Sequence, residues 1–223
     1  MDPVAADDSP LSKVHLPASL EQCRITALPP SAYYIPDFIS EEEEKLILDK
    51  IENAPKARWR QLTHRRLQTW PSDLVQNTLL SAQSLPEWLE KPVVARLLSI
   101  PDGGAYHPVV CTVSLGSSIC LNLYKSKEDG ALDPEPVWRI LQEPRSLLIT
   151  TAELYSEYLH GIEPISEDTD ITEQGIANWN LLRSPSLYKE GRHPRQTRVS
   201  LTYRDVLKVS KLGNKLGPLF KRT

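Results

Sequence analysis

Two arginines stand six residues apart in the segment Arg198-Val199-Ser200-Leu201-Thr202-Tyr203-Arg204. Apolar and polar residues alternate there, which predicts a β-strand whose alternate side chains share a face. The polar face is expected to carry Arg198, Ser200, Thr202 and Arg204. A guanidinium presents a planar fork of N–H donors that matches a carboxylate, so this face predicts a site for an anionic ligand. The alternative is a strand whose arginines reach solvent or pair with acidic neighbours.

A single histidine, His160, follows the apolar residue Leu159 and precedes Gly161, and a carboxylate, Asp102, lies upstream. A neutral imidazole and a carboxylate are groups with which proteins bind metal ions and transfer protons. We expect Asp102 to stand beside His160, close to the arginine-bearing face. The alternative is a histidine that is satisfied by a backbone partner.

Basic and aromatic side chains interleave between residues 58 and 70. Arginine can hold phosphates while a nucleic-acid base stacks on an aromatic ring, so this stretch predicts a local nucleic-acid contact. The residues expected to make it are Arg58, Arg60, Arg65, Arg66 and Trp70. The alternative is an amphipathic hairpin whose tryptophans are core residues and whose arginines are solvated. The pattern leaves both open.

The elements that must position these residues are several short strands with helices towards the N-terminus. Ser40 followed by four glutamates predicts a helix N-cap, with the helix running to about residue 53. A second helix is predicted from Pro86 to Ile100. Strands are predicted within residues 109–124, 137–141 and 146–150, with a surface loop over residues 163–195. This mixture indicates an α+β fold.

The composition of the 223 residues is that of an ordinary globular chain, with a net charge of −3 that gives no overall attraction to nucleic acid. The three cysteines, Cys23, Cys111 and Cys120, have no metal-ligand spacing and are expected to be reduced. No apolar stretch reaches the roughly 20 residues that span a bilayer, so no membrane partner is expected. Without a signal-like leader, the expected location is cytoplasm and nucleus. The oligomeric state is not indicated.

The order of the motifs adds a family resemblance. The residues that carry it are the segments 33–44, 66–70, 102–108, 114–117, 143–147, 159–162 and 198–204. In this order they resemble the AlkB-like family of Fe(II)/2-oxoglutarate dioxygenases, specifically its homologue-6 branch. The resemblance covers roughly residues 31–208, flanked by a disordered or extended segment over residues 1–30 and a basic tail over residues 209–223. It implies a double-stranded β-helix (jelly-roll) core with N-terminal helices.

The resemblance also implies roles for single residues in an oxidoreductase site. Asp102 and His160 match the family's carboxylate and distal histidine ligands to Fe(II). Arg198 matches the arginine that binds the distal carboxylate of the co-substrate 2-oxoglutarate, and Ser200 and Thr202 share its face. Arg204 matches a second arginine near iron and substrate. The stretch from residue 58 to 70 matches part of the lid that recognises substrate, and the implied reaction is oxidative dealkylation of nucleic-acid bases.

One departure from the family pattern concerns the third metal ligand. The family pattern has His-x-Asp, but the position two before Asp102 is Ile100, whose side chain cannot bind a metal. A preceding strand with an Asn-x-Tyr element is also missing, which predicts an internal deletion. His107 is a possible substitute ligand, although the matching histidine is not a ligand in the family. We therefore expect a weak or inactive dioxygenase; the alternative is a non-catalytic variant that binds nucleic acid or protein.

Overall fold

Mostly antiparallel β-sheets with few helices make up the described part of the chain, which agrees with the α+β prediction. The computed structural model describes residues 14, 16–63, 65–72, 74–75, 78–79, 84–100, 109–125, 133–204 and 208–209. The predictions for Asp102 and His107 lie outside the described residues, as does most of the basic tail. No helix in the part of the chain that is described is long and apolar enough to cross a membrane.

The strands and helices are short. The strands are β1 (Ala32–Ile35), β2 (Arg60–Gln61), β3 (Arg66–Leu67), β4 (Leu74–Val75), β5 (Thr78–Leu79), β6 (Val109–Leu115), β7 (Ile119–Lys125), β8 (Trp138–Gln142), β9 (Leu147–Thr151), β10 (Tyr158–Gly161), β11 (Glu167–Asp168), β12 (His193–Pro194), β13 (Val199–Arg204) and β14 (Lys208–Val209). The α-helices are α1 (Glu41–Glu52), α2 (Glu87–Leu89), α3 (Arg96–Ser99) and α4 (Ala152–Ser156). Short 3₁₀ turns lie at Leu20–Cys23, Lys56–Arg58, Trp179–Leu181 and Pro185–Tyr188.

Two antiparallel sheets carry the architecture. The larger sheet has the strand order β1-β9-β6-β13, and the smaller has the order β10-β7-β8. Strands β6 and β7 follow one another in the chain but belong to different sheets, and so do β8 and β9. The chain therefore passes from one sheet to the other at two neighbouring turns.

The two turns are held together by backbone geometry and by one glutamate. Gly116, in the first turn, has φ +84°, and a Cβ there would lie 2.8 Å from the carbonyl oxygen of Thr197. Arg145, in the second turn, has φ +66° and donates its backbone N–H to the carbonyl of Ser114 at 2.7 Å. The carboxylate of Glu44 on α1 accepts from the Gly116 backbone N–H at 2.8 Å and lies 3.2 Å from the Arg145 guanidinium. Only glycine fits the first turn without moving the backbone of Thr197.

Alternation along the strands divides the core into two layers. The outer face of the larger sheet packs against α1 and the helical segment near residue 93; its residues are Tyr33, Ile35, Cys111, Val113, Leu115, Leu147 and Ile149. The inner face contributes Tyr34 and Leu148, which pack with Leu123 and Ile140 of the smaller sheet. The sheets thus face each other across a layer that we call the inter-sheet space. It lies between Tyr34, Leu148 and Ser114 on one side and Leu123, Ile140 and Gln142 on the other.

The predicted helices are both present. Ser40 caps α1 in a capping box, since its hydroxyl accepts from the Glu43 backbone N–H while the Glu43 carboxylate accepts from the Ser40 backbone N–H. The second helical segment comprises α2, a wide π-helical turn at Glu90–Ala95, and α3. Pro92 lies in the wide turn, where its missing N–H and its ring prevent ordinary helical hydrogen bonding.

The prediction of a surface loop over residues 163–195 is wrong for its middle part. Ile171, Ile176, Leu182 and Tyr188 are buried there and pack with the smaller sheet. These residues cover the smaller sheet from turns rather than from long strands, so the sequence shows no apolar periodicity that would predict their burial. Leu20, Ile25 and Leu28 are buried as well, so the core also draws on the segment ahead of residue 31.

Candidate ligand-binding site

The alternation predicted for β13 is confirmed. Val199, Leu201 and Tyr203 pack against the outer core, whereas Ser200, Thr202 and Arg204 are exposed on the opposite face. Opposite Ser200 in β6 lies Ser114, and opposite Thr202 lies Thr112, so the polar face continues across both strands. β13 is the edge strand of the larger sheet, which leaves this face open on one side.

Arg198 lies directly before β13 and joins the two sheets. Its Nε donates to the Ser114 hydroxyl at 2.7 Å, and its Nη2 donates to the Gln142 side-chain oxygen at 3.0 Å. Ser114 belongs to the larger sheet and Gln142 to the smaller, so the guanidinium spans the inter-sheet space. Burial lowers the pKa of Arg198 to about 10, which leaves it cationic at neutral pH.

The partners of this half-buried cation are neutral. Within the described residues, Arg198 forms no ion pair with a carboxylate. Removing a charge from water without a counter-charge is costly, so an anion that enters the inter-sheet space gains a charge-assisted contact there. The arrangement can therefore bind a carboxylate.

His160 faces the same space from the smaller sheet. It pairs with Leu123 in β7, and Leu123 pairs with Trp138 in β8, so the alternation puts His160 on the same face as Ile140 and Gln142. Surrounding protein atoms disfavour the imidazolium and lower the pKa of His160, and the Leu154 backbone opposes this only in part. The lowered pKa favours the neutral imidazole, the form that can bind a metal, and the side chain is exposed.

Arg204 cannot share a small ligand with Arg198. The two residues are six positions apart, which along a strand is roughly 20 Å, more than a five-carbon dicarboxylate spans. Arg204 is exposed at the far end of β13. Arg198 thus lies just before β13 and Arg204 at its far end, while the strand register puts His160 on the same face of the smaller sheet as Gln142.

Among the residues that the structure describes, His160 is the one proposed metal ligand. Where the chain is described, no cluster of three or more His, Cys, Asp or Glu side chains could hold a metal ion. Ile100 is only 3% exposed and packs in the outer core with Val93 and Cys111. That layer lies on the opposite face of the larger sheet from His160. Position 100 is thus a core position on the wrong side of the sheet, and the described residues do not fit an iron centre.

The basic stretch forms the hairpin of β2 and β3, in which Arg60 pairs with Leu67 and Gln61 with Arg66. The Arg58 guanidinium lies 3.7 Å from the centre of the Trp70 ring, and Arg66 lies 4.1 Å from the centre of Trp59. The edge of Trp88 meets Trp70 with ring centres 5.4 Å apart. The stretch thus forms a hairpin whose indoles are partly covered by the protein's own cations, and its contact with nucleic acid stays a prediction.

Gln142 is the site residue that the sequence did not suggest. It is buried at the end of the apolar strand β8. The signal in the sequence is a polar residue at the end of an apolar strand. A glutamine buried there needs a hydrogen-bond partner. Ser114 was part of the family motif, but its contact with Arg198 could not be read from the sequence.

Comparison with known proteins decides the family. None of the protein-family models compared matches the chain. A protein from Danio rerio named "Probable RNA/DNA demethylase ALKBH6" is 33% identical over an alignment 228 positions long, gaps included, that covers 89% of this chain and 95% of that protein. The chain belongs to the AlkB-like family, in its homologue-6 branch. The AlkB-like resemblance of the ordered motifs is thereby confirmed, while the internal deletion stays a prediction.

Proposed function

We propose that this AlkB-like chain has a double-stranded β-helix core whose inter-sheet space binds 2-oxoglutarate through Arg198. The observation that carries the proposal is the Arg198 guanidinium, which lies half-buried between the sheets with only neutral partners among the described residues. The distal carboxylate of 2-oxoglutarate supplies the missing negative charge. Ser200 and Thr202 offer hydroxyls on the same face of the strand.

The proposed reaction class is oxidative dealkylation of nucleic-acid bases, with weak or absent turnover in this chain. The relative from Danio rerio carries an RNA/DNA demethylase name, which supports nucleic acid as the substrate class. Bound Fe(II) would activate oxygen in such an enzyme, and His160 and Asp102 are the ligands proposed for it. Ile100 packs in the outer core instead of facing His160, so we derive no catalytic step through iron. Arg204 keeps its proposed place near the substrate.

A second candidate is a binding module without turnover. Two observations favour it: the core position of Ile100 and the exposed guanidiniums of the β2–β3 hairpin, Arg60, Arg65 and Arg66. A hairpin of this kind can track a phosphate backbone without any metal. Both candidates share the anion-binding end of the site and differ in whether succinate is formed.

The experiment that tests the proposal measures binding of 2-oxoglutarate by calorimetry with purified chain, in the presence of a chelator and again with Fe(II) under nitrogen. We expect saturable binding in both conditions and loss of binding in Arg198→Ala. Arg192→Ala is the matched control, because Arg192 is exposed and lies 3.7 Å from the surface carboxylate of Glu167. Absence of binding by the unmodified chain, or equal binding by Arg198→Ala, refutes the proposal.

A further inference from the structure

The hydrogen bonds of Arg198 leave one edge of its guanidinium available. A guanidinium carries one N–H on Nε and two on each Nη. Ser114 occupies the Nε donor and Gln142 one donor of Nη2. No partner of Nη1 occurs among the described residues. A carboxylate is therefore excluded from the edge that contains Nε and must approach end-on, through Nη1 and the remaining N–H of Nη2.

Two other half-buried arginines are neutralised by carboxylates, whereas Arg58 and Arg139 donate to backbone carbonyls. Arg96 donates to both carboxylate oxygens of Glu43 at 2.6 and 2.8 Å. Arg195 donates to both oxygens of Asp168 at 2.7 and 2.9 Å. Arg198 makes the same kind of two-point contact, but with a hydroxyl and an amide. Its position is fixed by neutral groups that leave the charge uncompensated.

We propose that Gln142 and Ser114 are the positioning and specificity-determining residues of this anion site. They hold the Arg198 guanidinium in the inter-sheet space, close its Nε edge and leave its charge and its end-on edge to the ligand carboxylate. The inference rests on the proposed function of Arg198. Gln142 differs from glutamate only in its terminal amide, so a glutamate there would form an ion pair with Arg198 through Nη2 and neutralise the charge that the ligand needs.

The first test compares Gln142→Glu with the unmodified chain by calorimetry with 2-oxoglutarate. We expect a loss of affinity of about tenfold or more, because the internal carboxylate competes for the same cation. The fold should be retained, since the new side chain has the same shape. Equal affinity in Gln142→Glu overturns the assignment of Gln142.

The second test uses two variants of equal shape at Ser114. Ser114→Thr keeps the hydroxyl and Ser114→Val replaces it with a methyl group, so both add the same bulk to the buried strand. We expect the threonine variant to bind 2-oxoglutarate more tightly than the valine variant by about threefold to tenfold. The Arg198 Nε–H resonance, assigned by its loss in Arg198→Ala, should shift in the valine variant alone. Equal affinities and unshifted resonances overturn the role of Ser114.

A third test separates failure of this inference from failure of the proposed function, because it needs no ligand. Urea unfolding of Gln142→Glu, Arg198→Ala and the double variant forms a double-mutant cycle. We expect Gln142→Glu to be tolerated while Arg198 is present and to be destabilising when it is combined with Arg198→Ala. If the unmodified chain binds no 2-oxoglutarate but the cycle shows coupling, the proposed function fails and the positioning stands. Absence of coupling overturns the positioning.

Discussion

The two ends of the candidate site differ in how they are built. At the anion end, Arg198 is fixed by one residue from each sheet, at distances of 2.7 and 3.0 Å. At the metal end, His160 faces the inter-sheet space, while Ile100 packs in the core on the other side of the larger sheet. In the strands that carry the anion end, β13 pairs with β6 over Val199–Arg204 and β8 pairs with β7 over Trp138–Gln142. In the proposed function, binding of 2-oxoglutarate therefore depends on the anion end and turnover on the metal end.

The largest expected effect comes from breaking the anion end. Arg198→Ala should lower 2-oxoglutarate affinity by about 2–5 kcal/mol, because a buried charge-assisted contact is lost. Calorimetry at one ionic strength measures it, with Arg192→Ala expected to match the unmodified chain. A loss of similar size in both variants would show that the effect is not local to the site.

The metal end can be probed by trying to repair it. Ile100→His should destabilise the fold by about 2–4 kcal/mol, because it puts a polar ring into a packed apolar layer. It should not create succinate production or a tighter Fe(II) site, since position 100 faces away from His160. Urea unfolding and a coupled succinate assay measure the two effects.

Ile100→Val serves as the control for this repair, with an expected cost of about 0.5–1.5 kcal/mol for the lost methyl group. Restored turnover in Ile100→His would contradict the placement of position 100 and return it to the metal site.

The pH dependence of binding sharpens the difference between the ends. The pKa of Arg198 is lowered to about 10, and only the protonated guanidinium attracts a carboxylate. Affinity should be constant between pH 7 and 9 and fall as pH rises above about 10, by up to about tenfold per unit. Bound 2-oxoglutarate stabilises the protonated guanidinium, so the pKa of Arg198 in the complex lies higher than in the free chain. Affinity that already falls from pH 7 to 9 would indicate that a different group binds the anion.

The features that could be predicted from the sequence are those set by local patterns of residues. The alternation of β13 and the cap at Ser40 depend on neighbouring residues, and both are confirmed. The contact of Arg198 with Gln142 joins residues 56 positions apart in different sheets, and no local pattern encodes it. The layer of Ile100 is likewise decided by how the helical segment docks on the larger sheet.

Residues 171–188 show a further limit of the sequence. The side chain of Asn178 accepts from the Leu141 backbone N–H and donates to the Leu141 carbonyl, both at 2.9 Å, as a neighbouring strand would. At the edge of β8, one side chain thus makes the hydrogen bonds that the backbone of a neighbouring strand would otherwise make. Because the cover is made of turns and such single contacts, its sequence resembles a polar loop.

The smallest expected effect concerns the β2–β3 hairpin. Arg58→Ala should reduce stability by about 0.5–1 kcal/mol, because the cation–π contact with Trp70 is lost. It should leave 2-oxoglutarate affinity unchanged. Exposed Arg65→Ala should leave stability unchanged but weaken binding of single-stranded RNA or DNA if the hairpin tracks phosphates. Urea unfolding measures the stability of both variants, and fluorescence anisotropy measures their binding of single-stranded nucleic acid. If Arg58→Ala and Arg65→Ala change both measurements equally, the two arginines do not have separate roles.

The most direct test of separable binding and turnover measures both in one preparation. Purified chain is supplied with Fe(II), ascorbate, oxygen and a methylated oligonucleotide, and bound 2-oxoglutarate and released succinate are quantified together. We predict stoichiometric binding that requires Arg198, with little or no succinate. Robust succinate release that disappears in His107→Ala would contradict the account and identify His107 as the third metal ligand.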